Sequence, residues 1–223
     1  MAEKNYTIPI NEIFELTGGC PFCTMQNMLE NRSLEYITGA AMMEPDIRIK
    51  TNELGFCKSH FDKMLAMRKS LPVALIMESH LKHIKDGIMS QKSSKKRVSE
   101  ISKLTHTCYV CEKIDWSLNT MMDTVCRLWK ENDGFREMYT SQDHICLYHY
   151  DKITSMSTKL LKRGDLKSFE DATLSLTSNY LDTLCSDVSH FCEMYNYKNS
   201  SGDSDWGNSK DSVDRAVKFL NRK

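Results

Sequence analysis

The sequence predicts an all-α protein, two tandem helical repeats followed by a C-terminal helix. Apolar residues recur at three- and four-residue spacing along most of the chain, no segment alternates with period two between turn pairs, and one pattern of Cys and His occurs twice. A chain of 223 residues can bury a sizeable core without disulfides. At 40% hydrophobic and 27% charged, with four Pro and nine Gly, its composition is that of a globular protein.

In the first repeat, Met25, Met28, Leu29, Tyr36, Ile37 and Ala40 mark one helix face, and Pro45 ends that segment. A short helix is expected over 46–54 with Gly55 as its stop, and another over 58–69. Pro72 suits the first turn of a long helix whose apolar stripe is Val73, Ile76, Met77, His80, Leu81, Ile84 and Ile88, with fraying over 91–97. In the second repeat, Leu118, Met121, Met122, Val125, Leu128 and Trp129 mark a helix that Gly134 breaks, and a turn through Met138 leads to His144. A helix over 147–163 ends at Gly164. Asp165 can cap a long helix carrying Phe169, Leu176, Tyr180, Leu184, Val188 and Phe191. The polar stretch 196–208 reads as a loop, and Val213, Ala216, Val217 and Leu220 line a final helix. The expected boundaries are 1–105 and 106–199 for the two repeats and 200–223 for the loop and last helix.

The repeat is clearest at its cysteines. Cys20-Pro21-Phe22-Cys23 recurs as Cys108-Tyr109-Val110-Cys111, and Cys57-Lys58-Ser59-His60 recurs as Cys146-Leu147-Tyr148-His149, at offsets of 88 and 89 residues. The match continues past the second motif, where Phe61-Asp62-Lys63-Met64 faces Tyr150-Asp151-Lys152-Ile153. Random placement of this many Cys and His gives about 0.3 of either motif, so two of each in the same order point to duplication.

No secretory signal is expected, because the polar start from Met1 to Tyr6 is followed by no apolar run, and no segment approaches the roughly 20 apolar residues of a membrane span. A soluble, cytoplasmic protein is the expectation. In that compartment thiols stay reduced, so repeated Cys spacing points to metal before disulfides. Three thiolates and one imidazole complete a tetrahedral zinc shell, and the simplest assignment keeps each site within its repeat: Cys20, Cys23, Cys57 and His60 for one ion, Cys108, Cys111, Cys146 and His149 for the other. Each motif precedes or opens a helix, whose positive N-terminal end favours thiolates. The expectation is therefore two zinc-stapled repeats with two Zn ions per chain. An iron–sulfur cluster is the metal alternative. Four protein donors make each site structural rather than catalytic.

The pairing of Cys20-Pro21-Phe22-Cys23 with Gly55-Phe56-Cys57 through His60-Phe61, repeated, and Trp206 before a terminal helix, resembles an uncharacterised bacterial family known as a domain of unknown function. The resemblance implies a duplicated helical fold in bacteria and no particular reaction. In the second repeat Tyr109 replaces the Pro, and His144-Ile145 replaces Gly-Phe.

Other residues read more plainly. His80 belongs to an apolar stripe, whereas His83 belongs to solvent; His106 and His144 flank the second motif set and could act as rival ligands or as supports to the site. Cys126, Cys185 and Cys192 lack partners and read as small buried hydrophobes. Thirty basic against thirty acidic residues leave no net charge, and the run Lys92, Lys95, Lys96, Arg97 is short and lacks interleaved aromatics, so nucleic acid is disfavoured. The functional expectation is a structural-zinc binding or adaptor protein with a protein partner or small ligand; the alternative is an enzyme or small-ligand carrier using a crevice between the repeats.

Overall fold

The computed structural model describes residues 6–195 and 205–220, and among them it contains helices and no strand. The helices are α1 (Thr7–Glu15), α2 (Pro21–Ile37), α3 (Pro45–Leu54), α4 (Lys58–Ala66), α5 (Ser70–Lys82), α6 (Ser94–His106), α7 (Tyr109–Glu131), α8 (Asp133–Thr140), α9 (Leu147–Leu160), α10 (Arg163–Met194) and α11 (Ser212–Leu220). None of them is long and apolar enough to cross a membrane. The chain divides into two compact units, one made of Met1–Met25 with Thr120–Lys223 and the other of Gln26–Asn119.

In the first of these units α8 packs against α1, and α9, α10 and α11 pack on one another. Its centre is aromatic: Phe14 meets Phe135 at 5.0 Å and Tyr139 at 5.5 Å, while Tyr139 meets Trp129 at 5.3 Å and Phe169 at 5.1 Å. Edge-on, stacked and tilted ring contacts of this kind add to the area each ring buries. The Tyr139 hydroxyl, fully enclosed, is within 2.9 Å of Thr173 Oγ1, so the ring brings no unpaired oxygen into the core. Burial pushes the Tyr139 phenol far above its usual range.

In the contiguous unit, α3 packs on α5 and α6, and α4 on α5. Pro45 opens α3 and Gly55 ends it at φ 60°, ψ −160°, a conformation open essentially to Gly alone. A Cβ there would come within 3.1 Å of Leu104 and 3.4 Å of His80. The turn matters because the Gly55 carbonyl accepts the Tyr109 N–H at 3.0 Å, which lays the start of α7 beside the chain leading to Cys57.

Several helices differ from the expected ones for identifiable reasons. The α1 helix carries too few turns to stand out by periodicity, yet it buries Ile10, Ile13 and Phe14. A π-turn carries α5 on through His83–Met89, and α6 forms where fraying was expected, because the Ser93 hydroxyl accepts the Lys96 N–H and caps it. No residue of α6 is buried. Gly134 lies inside α8 rather than breaking α7, since the Asn132 side chain accepts the Phe135 N–H and starts a new helix. Lys162, not Asp165, occupies the cap of α10. Leu81 is 63% exposed and so lies off the buried stripe of α5, whereas His80 lies on it. Cys126 is buried, its thiol pushed up to about 12 by burial, but Cys185 and Cys192 are exposed, contrary to the buried reading of all three. Most of the expected 196–208 loop lies outside the described residues.

Candidate metal centres

The four motifs are built at helix starts. Cys20 directly precedes α2 and Cys108 directly precedes α7, while Cys57 and Cys146 are the N-cap residues of α4 and α9. The two Cys-x-x-His motifs are near copies in shape. Their caps have φ, ψ of −73°, 162° and −70°, 159°, and each His Nδ1 stands 3.2 Å from the sulfur of its own cap. This follows from helix geometry, since a side chain three residues into the first turn reaches back over the cap. The replacement of Gly55 by His144 leaves the second motif intact because no positive φ is needed there: among the described residues Arg68 is the one non-glycine with φ above zero. His144 instead stacks on Tyr180 at 3.7 Å.

The motifs join across the expected pairing. Cys20, Cys23, Cys146 and His149 form one cluster, and Cys57, His60, Cys108 and Cys111 form the other, with the donor atoms of each within 4.8 Å of one another. The assignment of each set to its own repeat is therefore overturned: a Cys-x-x-Cys from one motif set meets the Cys-x-x-His of the other. All the donors of the first cluster lie in the unit of Met1–Met25 with Thr120–Lys223, and all those of the second in Gln26–Asn119. Neither His80, His83, His106 nor His144 joins a cluster.

The spacings fit a single ion. Tetrahedral coordination with sulfur at about 2.3 Å and nitrogen at about 2.0 Å requires donors about 3.8 Å apart for two sulfurs and about 3.5 Å for sulfur and nitrogen. In the first cluster Cys23 and Cys146 sulfurs are 3.6 Å apart, and His149 Nδ1 stands 3.7, 3.4 and 3.2 Å from Cys20, Cys23 and Cys146. In the second, Cys57 and Cys111 sulfurs are 3.9 Å apart, and His60 Nδ1 stands 3.2, 3.2 and 3.5 Å from Cys57, Cys108 and Cys111. An iron–sulfur cluster would spread its donors over several metal atoms, which such close spacing does not accommodate.

The first cluster is the more buried of the two, with Cys23 alone half-buried. Cys20, Cys146 and His149 are buried, and the His149 ring packs 5.9 Å from Phe22 and 5.0 Å from Tyr148. Gly18 and Gly19, both at positive φ, carry the chain from α1 to Cys20, and the Gly19 N–H donates to the Asp143 carboxylate at 3.0 Å, tying the two motifs together. In the second cluster His60 and Cys108 are buried, with Cys57 and Cys111 at the edge. Here a charged group that periodicity gave no reason to single out comes into play. Glu30, on α2, places one carboxylate oxygen 3.0 Å from His60 Nε2 and the other 2.6 Å from Lys63 Nζ.

Burial and neighbouring groups act differently on the individual donors. Burial pushes the Cys20, Cys108 and Cys111 thiols up, while hydrogen bonds from Cys20 and Cys23 hold the Cys146 thiol down. A bound cation would favour the thiolate form at the donors that burial pushes up. Burial lowers His60 against the pull of Glu30, leaving the neutral ring a metal needs. Burial also pushes the Glu30 carboxyl up, but Lys63 and His60 outweigh it and the group ionises below its ordinary value.

The whole chain, residues 1–223, matches the model of a family of unknown function, DUF6062, and the protein belongs to that family. No curated protein and no solved structure matches it.

Proposed function

We propose that the protein is a zinc-stabilised helical binding or adaptor protein of the cytoplasm, in which Cys20, Cys23, Cys146 and His149 ligate one zinc ion and Cys57, His60, Cys108 and Cys111 the other. The observation that carries this reading is that each cluster supplies four protein donors at the spacing of one tetrahedral ion. A filled shell leaves no position for an activated water, so the ions hold helix ends together and recognition falls to the helical surface. Zinc is favoured over iron because three soft thiolates and an imidazole suit it without redox chemistry. The recurrence of both motifs at offsets of 88 and 89 residues supports an origin by duplication.

The test is elemental analysis together with native mass spectrometry of protein purified without chelator. Two zinc ions per chain are expected. Metal-free protein, or iron with a visible charge-transfer band, would refute the assignment; water as a fourth ligand, with an activity lost on metal exchange while the fold persists, would refute the structural role.

A further inference from the structure

A histidine that gives its Nδ1 lone pair to a metal must carry its proton on Nε2, and whatever accepts that proton decides which way the ring faces. His60 presents Nδ1 to three sulfurs at 3.2, 3.2 and 3.5 Å, and its Nε2 meets Glu30 at 3.0 Å. The Glu30 side chain is 12% exposed, and Lys63, one turn along α4 from His60, holds its other oxygen at 2.6 Å.

We propose that Glu30 is the positioning residue of the Cys57, His60, Cys108 and Cys111 site. It accepts the Nε2–H of His60, fixes that tautomer, and so directs the Nδ1 lone pair at the sulfurs. Lys63 anchors the carboxylate in the one orientation that serves His60. Glu30 itself occurs in one motif set: it follows Cys20 by ten residues, and the residue ten beyond Cys108 is Leu118. Because the carboxylate adds negative charge behind the ring, it also makes His60 a stronger donor. The proposal rests on the metal reading above and adds to it a named source of affinity at one site.

The experiment compares full-length wild type, Glu30→Leu, Glu30→Gln and Lys63→Met. Zinc affinity is read by chelator competition, each site by cadmium NMR, and the His60 tautomer by ring-nitrogen NMR. Glu30→Leu is expected to weaken this site by about 10–100-fold, to disturb the Nε2–H signal, and to leave the other site unchanged. Glu30→Gln keeps an acceptor oxygen and should recover most of the loss, with Lys63→Met in between. An unchanged affinity and ring spectrum in Glu30→Leu would overturn the proposal, as would equal losses at both sites, which mark a general effect on folding. Wild type that binds no metal at either site would instead bring down the metal reading itself.

Discussion

The two clusters use the same donors on the same kind of helix start and differ in what surrounds them. The Cys20 cluster is the more buried, with Cys23 alone half-buried and His149 against Phe22; the Cys57 cluster is backed by the Glu30–Lys63 ion pair and is half-buried at both Cys57 and Cys111. They also close very different lengths of chain, 123 residues from Cys23 to Cys146 against 48 from His60 to Cys108. Loop closure grows only with the logarithm of length, so that difference amounts to about 0.8 kcal/mol. Burial of one large side chain outweighs it. The lesson is that surroundings, not chain separation, set how the two sites differ.

The crossed pairing gives the largest test. Removing Cys20 and Cys146 together should leave one zinc per chain, because both serve the same ion, whereas removing Cys20 and Cys57 should leave none. Structural zinc contributes on the order of 10 kcal/mol in small zinc domains, so native mass spectrometry and thermal melts should separate the two double variants. Pairing within each motif set would reverse the outcome.

Phe22→Ala probes the apolar cluster. Phe22 is 0% exposed and stands against both Phe14 and His149, so the cavity should cost about 3–5 kcal/mol by denaturant unfolding and loosen metal at the Cys20 site alone. Equal metal loss at both sites would show that the two environments are not independent.

Gly55→Ala probes the other cluster. Its forbidden backbone geometry and the close approach to Leu104 predict a loss of about 1–3 kcal/mol, with weaker metal retention at the Cys57 site. A neutral result would mean that the turn before Cys57 relaxes without disturbing the donors.

The smallest effect is kinetic. With Cys57 and Cys111 at the edge of their cluster and Cys20 and Cys146 buried in theirs, a chelator should take metal from the Cys57 site first. Cadmium NMR during a chelator time course would read the order, and simultaneous loss would remove the distinction between an enclosed and an edge site.

The identity of the eight candidate donors was legible in the sequence because their signal is local: a two-residue gap at a helix start places both side chains of a motif on one side of a turn. The helical class was legible for the same reason, since periodicity over a few turns records which face is buried. Which motifs come together was not. Closing a site over 123 residues rather than the 35 between Cys111 and Cys146 costs only about 1 kcal/mol more, too little for chain separation to select the partner. Helix packing makes that selection. It does so again at Glu30, an ordinary acid on a helix until α2 and α4 bring it to His60 and Lys63, and at Gly55, where Leu104 and His80 from other helices leave little room for a Cβ. Short-range spacing determined the chemistry of the donors, and the contacts between distant helices decided how that chemistry is assembled.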